Sequence, residues 1–153
     1  MSDITVRAPV PADVSAMIAI ERASFSDPWG DESFRQLAES ADGHCRVAEQ
    51  YGLVVGYWVG SRIDDEAELA NLAVNPALRR GGIGRVLLED FLRQVGATEG
   101  TTVFLEVRAS NRAAIELYRG YGFTELARRK GYYMRPDEDA LVMARRPRVV
   151  RTD

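Results

Sequence analysis

The chain opens on an alternation of apolar and polar positions, Ile4-Thr5-Val6-Arg7-Ala8, the period of a half-buried strand, which Pro9 and Pro11 end. The period then lengthens. Val14, Met17, Ile18 and Phe25 recur at helical spacing behind Asp13, which is placed to cap that helix. Ser26 to Gly30 reads as a loop, and Asp31 to Glu39 as a short second helix with Phe34 and Leu37 on one face. Period two returns at Cys45 to Glu49, Gln50-Tyr51-Gly52 turns the chain, and Leu53 to Val59 runs back, a hairpin signal. Beyond the acidic turn Asp64-Asp65-Glu66, the run Ala67 to Val74 is strand-like and stops at Asn75-Pro76. Gly82 to Val95 reads as a helix with Val86, Leu87, Phe91, Leu92 and Val95 inward. Thr101 to Val107, rich in β-branched and aromatic residues, is the most strand-like segment. Asn111 to Tyr121 is helical up to Gly122, and Phe123 to Arg128 and Asp139 to Ala144 are two last strands. The order β α α β β β α β α β β predicts an α/β fold. Its sheet is mixed, mostly antiparallel, with one central βαβ crossover.

Length and charge narrow this picture. The 153 residues suffice for one core without staples, so a single domain over 1–145 with a polar tail over 146–153 is expected. The net charge of -3, from 20 basic and 23 acidic residues, speaks against a nucleic-acid partner held by bulk charge. No apolar run approaches the ~18 residues of a membrane span, and the first residues have no signal-peptide core. A cytoplasmic monomer is the expectation. Cys45 is the sole cysteine, so no intrachain disulfide forms. With only His44 beside it there is no zinc pattern, so no metal is expected and Cys45 reads as an ordinary strand residue.

Chemistry concentrates first between the strand ending at Val74 and the helix that follows. That connection holds Arg79, Arg80, Gly81, Gly82, Ile83, Gly84 and Arg85. The first N–H groups of a helix have no intrahelical partner and carry the positive end of its dipole. Glycines let the backbone approach an anion closely, and three arginines add charge, so the loop suits a pyrophosphate. It is not a P-loop, because the Gly-Lys-Ser/Thr ending is missing, nor a dinucleotide fingerprint, which needs G-x-G-x-x-G in an early βαβ unit. A glycine-rich turn with solvated arginines is the structural alternative.

Three further residues stand out. Val103, Leu105 and Val107 share one face of their strand, and Phe104 and Glu106 the other. A carboxylate inside an apolar strand either shifts its proton affinity, as a general base does, or pairs with an arginine such as Arg108 or Arg112. Asn111 stands where a helix cap is expected. Tyr118 follows it by two helical turns on the same face, a position that packing alone would explain, as it does for Tyr121.

Arg79-x-x-Gly82-x-Gly84 resembles the acetyl-CoA signature R/Q-x-x-G-x-G/A of the GNAT superfamily of N-acetyltransferases, and the element order matches that fold over roughly residues 4 to 145. More narrowly, Asn71-Leu72-Ala73-Val74-Asn75-Pro76, Leu105 to Asn111, and Ala114-Ile115-Glu116-Leu117-Tyr118 with Gly122-Phe123 resemble the bacterial ribosomal-protein-alanine N-acetyltransferases and their archaeal and eukaryotic N-terminal acetyltransferase relatives. Pro28-Trp29, and Tyr132-Tyr133 followed by Glu138-Asp139-Ala140, are similar to the same group. Gly81 departs from it, since the bacterial relatives often carry another arginine there.

The resemblance implies acetyl-CoA as co-substrate, bound by the loop from Arg79 to Arg85, by the strand Leu72-Ala73-Val74 and by Asn111. It implies Glu106 as base and Tyr118 as acid in direct attack of an α-amine on the thioester, with no acyl-enzyme. Glu68, on the preceding strand, ranks below Glu106 as base. Trp29 and the loop around Tyr132 and Tyr133 are expected to grip the acceptor, a protein N-terminus. The implied acceptor is the N-terminal alanine of a small-subunit ribosomal protein or a wider set of N-termini. The acidic stretches at 64–66 and 137–139 are candidate attractors of a basic substrate, or simply solvated surface. An acetyltransferase for a small amine and a non-catalytic acetyl-CoA-binding module are the competing readings.

Overall fold

The first hairpin is closed by a two-residue turn in which Tyr51 and Gly52 both have positive φ, 53° and 78°. That geometry matches the right-handed twist of the strands it joins. In the computed structural model, which describes residues 3–40, 43–96, 100–134 and 136–146, those strands are β2 (Cys45–Gln50) and β3 (Leu53–Ile63). The chain packs as two units, Met1–Gly60 with Asn71–Phe91, and Ser61–Ala70 with Leu92–Asp153.

In the first unit β1 (Thr5–Arg7) pairs antiparallel with β2, and β2 with β3, Val47 lying opposite Tyr57. Helices α1 (Val14–Ser24) and α2 (Asp31–Glu39) bring Met17, Ile20 and Phe34 onto Cys45, Val47, Tyr57 and Val59. Trp58 points the other way and meets Phe91 of α3 (Ile83–Gln94) at 5.2 Å between ring centroids. β3 is thus covered on both faces, which is why it reads as a continuous apolar run. Asp13 does not cap α1. A 3-10 turn, Pro11–Asp13, precedes that helix, and the Asp13 carboxylate accepts from the Arg7 guanidinium at 2.7 and 3.0 Å and from the Val10 N–H at 2.8 Å. The charged fork of Arg7 outcompetes a neutral helix N–H and holds Asp13 below the usual carboxylate range.

The inward face of α3 also differs from the expected one. Ile83, Leu87, Leu88, Asp90 and Phe91 are buried, while Val86, Leu92 and Val95 are half-buried. Asp90 is tolerated inside because the Trp58 indole N–H (2.8 Å) and the Arg46 guanidinium (2.9 Å) donate to it. Cys45 is buried, and its thiol is pushed up to about 12 by loss of water.

In the second unit the first residues of β4 (Glu66–Val74) pair in parallel with β5 (Thr102–Arg108), from Glu66 opposite Thr102 to Leu69 opposite Leu105. The helical crossover between β4 and β5 makes the expected βαβ unit. β7 (Glu138–Arg145) is antiparallel to β5 and carries β6 (Thr124–Tyr133) on its far edge, giving the order β4-β5-β7-β6. Helix α4 (Arg112–Gly120) buries Ile115 and Tyr118, and Tyr118 meets Phe123 edge-on at 5.8 Å. β6 is longer than the sequence suggests, so Tyr132 and Tyr133 lie on a strand and not in a loop. The expected tail over 146–153 falls outside the described residues apart from Arg146. No helix among the described residues is long and apolar enough to cross a membrane.

Candidate active site

In the first unit the glycine-rich loop is built between fixed points. The Asn75 N–H donates to Val55 O at 2.8 Å, tying the end of β4 to β3, and the Asn75 side chain accepts from the Ala77 N–H at 3.0 Å. The turn Pro76–Leu78 follows. Arg80 then sits at φ 72° and Gly82 at φ 81°. The left-handed backbone suits Gly82 and is strained at Arg80, a pattern that concentrates at functional loops. α3 begins at once, and its first intrahelical bond runs from Val86 N to Gly82 O. The N–H groups of Ile83, Gly84 and Arg85 lie in that first turn, ahead of any intrahelical partner. Ile83 contributes only this N–H, because its side chain is core. Arg79, Arg80, Gly81, Gly82 and Arg85 are exposed. A helix N-terminus with free donors, an exposed glycine backbone and surrounding arginines fits a phosphate-bearing ligand. Leu72 and Val74 are half-buried and Ala73 is buried behind the loop.

Trp29 belongs to this unit as well. Its indole is 37% exposed and leans on Phe34 at 6.1 Å.

In the second unit β5 alternates strictly, with Val103, Leu105 and Val107 buried and Phe104 and Glu106 on the opposite, half-buried face. Glu106 does have an arginine partner, yet it is neither Arg108 nor Arg112. Arg129, reaching from β6 across β7, places Nε 3.2 Å from Glu106 Oε1. Both line a cavity of about 350 Å³ together with Glu66, Glu68, Phe104 and Val142. Glu68 is exposed and opposite Phe104 in register, so it faces the same space as Glu106.

Tyr118 is 7% exposed, and burial, with a smaller push from Tyr133, holds its phenol well above the ordinary value. Tyr133 is pushed up to about 12 by burial and by the nearby charge of Glu106. Tyr132 is half exposed, stands edge-on to Tyr133 at 5.2 Å and carries the Arg129 guanidinium 5.2 Å from its ring centroid. Glu106, Arg129, Tyr118, Tyr132 and Tyr133 therefore form one neighbourhood. Asn111 caps α4 by accepting from the Ala114 N–H at 3.2 Å.

The sequence did not point to Arg129 or to the role of Arg108. Arg108 lies over the Tyr133 ring at 4.5 Å and donates to Met134 O at 2.8 Å, to Pro136 O and to Glu138. Two carboxylates of the second acidic stretch have partners within the fold. Glu138 accepts from the Ser110 N–H at 2.7 Å and from Arg108, and Asp139 accepts from the Gly131 N–H and Arg128. These partners hold both carboxylates below the usual range.

The comparisons with known proteins agree with this layout. The family model for the acetyltransferase (GNAT) family matches residues 14–123. The ribosomal protein bS18-alanine N-acetyltransferase of Escherichia coli K12 is 37% identical over 134 residues, covering 86% of this chain and 90% of the relative. An N-alpha-acetyltransferase of Mycobacterium tuberculosis is 35% identical over 148 residues, covering 93% and 92%. Among solved structures, the ribosomal-protein-S18-alanine N-acetyltransferase from Escherichia coli superposes with a TM-score of 0.82 at 32% identity, over 98% of this chain and 97% of that one. Ard1 from Thermoplasma volcanium superposes with a TM-score of 0.83 at 30% identity, over 95% and 99%. The chain belongs to the acetyltransferase (GNAT) family and is an N-acetyltransferase.

Proposed function

We propose that this enzyme transfers the acetyl group of acetyl-CoA to the α-amino group of a protein N-terminus, with the N-terminal alanine of a small-subunit ribosomal protein as its principal acceptor. The observation that carries the reading is Glu106, a half-buried carboxylate on the cavity face of β5, in one neighbourhood with Tyr118, Tyr132 and Tyr133. The names of the relatives at 33–37% identity supply the acceptor.

The first unit offers what the co-substrate needs. Phosphates fit the N–H groups from Gly82 to Arg85 with Arg79, Arg80 and Arg85 around them, and Leu72-Ala73-Val74 offers strand backbone to an amide-bearing arm. The second unit supplies the proton chemistry, and Asn111 at the start of α4 adds a coenzyme contact in this reading. An α-amino group has a pKa of about 8, so about a tenth of it is free amine at neutral pH, its first proton already given to solvent. Glu106, ion-paired with Arg129, is the acceptor for the second proton, which the nitrogen releases once it has bonded to the thioester carbon. The amine nitrogen attacks the thioester carbon, the C–S bond breaks, Glu106 takes the amine proton and Tyr118 gives its own to the departing sulfur. Burial keeps the Tyr118 proton in place at neutral pH. In this reading Trp29 on the first unit, and Tyr132 and Tyr133 on the second, are the acceptor-binding aromatics.

The test is a panel of short peptides and small amines incubated with acetyl-CoA and read by mass spectrometry. Acetylation of peptides beginning with alanine is the expected result. Transfer to polyamines or free amino acids and to no peptide would replace this reading with the small-amine one.

A further inference from the structure

One buried carboxylate takes no part in the chemistry above. Glu21, on α1 in the first unit, is 2% exposed. Its Oε1 accepts from the Tyr57 hydroxyl on β3 and from Asn71 Nδ2 on β4 at 2.7 Å, and its Oε2 accepts from the backbone N–H of Trp29 at 2.8 Å. All three partners are uncharged donors. A pocket of donors requires a group that only accepts, and a carboxylate is the one side chain with two such oxygens. Burying it away from a cation is costly, and a hydrocarbon of similar size would pack there at less expense to the fold. Core packing therefore does not explain Glu21, whereas the geometry of its three bonds does.

Those bonds join a loop to the sheet. The Glu21 carbonyl takes the Phe25 N–H at 3.0 Å as α1 ends, and its carboxylate takes the Trp29 N–H four residues later. The segment from 25 to 29 is thus folded back onto the helix that precedes it. Phe34, which meets Tyr57 at 5.5 Å, supports the indole. The other end of the network, Asn71, directly precedes Leu72-Ala73-Val74.

We infer that Glu21 is a positioning residue for the acceptor. It fixes the backbone of Trp29 against the strand that leads into the coenzyme loop, so that the indole meets the incoming peptide already in place. The inference rests on the reading of Trp29 as an acceptor-gripping residue.

Glu21→Gln tests it, because the amide places an N–H₂ group against at least one of the three donors. Two quantities are read: exchange of the Trp29 amide with solvent, by NMR, and the KM for an alanine-initiated peptide against the KM for acetyl-CoA. Faster Trp29 exchange with a peptide KM raised about tenfold, the size of one lost charge-assisted hydrogen bond, is the expected result. The acetyl-CoA KM stays within about twofold. Tyr57→Phe removes one of the two sheet donors from Oε1 and leaves the Asn71 and Trp29 bonds in place, so at an equal loss of stability its Trp29 exchange and peptide KM shift less than those of Glu21→Gln. If Trp29→Ala raises the peptide KM and Glu21→Gln does not, Glu21 is not a positioning residue and the acceptor reading of Trp29 survives. If Trp29→Ala itself leaves the peptide KM unchanged, that reading fails and this inference falls with it.

Discussion

Gly56 on β3 offers a quantitative test of how the end of β4 is held. A Cβ at this position would lie 2.7 Å from the Ala73 carbonyl oxygen, 2.9 Å from Leu87 Cδ1 and 3.4 Å from Ile83 Cγ2. Ordinary contacts are about 3.3 Å for carbon to oxygen and about 3.5–4.0 Å for carbon to carbon. Gly56→Ala must therefore open a gap of roughly 0.6 Å on both sides at once. Neither side yields cheaply: one is backbone, and the other is a fully buried leucine on the helix that carries the glycine-rich loop. Overpacking of this kind costs about 1–3 kcal/mol. For a domain of this size each kcal/mol lowers Tm by about 2–4 °C, so a fall of roughly 2–12 °C is expected. The backbone that moves is Ala73, between Leu72 and Val74, so acetyl-CoA affinity should fall as well, by about tenfold if a displacement of half an ångström acts on binding as misplacement acts on rate. Calorimetric unfolding and titration with acetyl-CoA measure the two effects. Gly120→Ala is the counterpart. Its Cβ meets nothing within 4 Å at the exposed end of α4, so it should raise Tm slightly. A Gly56→Ala protein with wild-type Tm and wild-type acetyl-CoA affinity would refute the reasoning.

Glu106→Gln should lower kcat by about 10²–10⁴-fold while acetyl-CoA affinity is kept, and equal turnover across pH would remove Glu106 as base. Tyr118→Phe should slow turnover with little loss of stability, since the ring and its packing on Phe123 remain; unaltered kcat would assign the acid role elsewhere. Asn111→Ala removes the acceptor for the Ala114 N–H and should cost about 1 kcal/mol, read as a lowered denaturant midpoint. Asp13 is held below its unfolded value of 3.8 by Arg7, so its stabilisation is present above that pH and is lost as pH falls through the lower folded value. Asp13→Asn should thus be less stable than wild type near pH 6, and the two should converge in acid. Parallel curves over the whole range would show that the ion pair does not contribute in this way.

How much of the fold is legible in the chain alone follows from the range of the forces involved. Periodicity, turn residues and breakers act within a few positions, so the order of strands and helices, the tight hairpin and the glycine-rich helix start can all be read from neighbouring residues. Asn111 announces its cap for the same reason, since its partner is three residues on. The placement of Glu106 on the open face of β5 needs only the two-residue period of a strand.

Tertiary structure decided the partners. Arg129 finds Glu106 only because β7 lies between β6 and β5, and no local pattern selects it over Arg108 two positions away from that carboxylate. Glu21 looks like a solvent residue of an amphipathic helix until α1 lies against β3 and β4, where donors 36 and 50 residues away close on it. Asp90 is buried on α3 for the same kind of reason. Tyr133 became a strand residue because β7 offers it Glu138 as a ladder partner, and Tyr132 precedes it within β6. The sequence by itself determined which elements form and where glycines and arginines gather at a helix start. Only the fold determined which buried charge meets which donor, because that choice depends on contacts between segments far apart along the chain and on the loss of water that accompanies them.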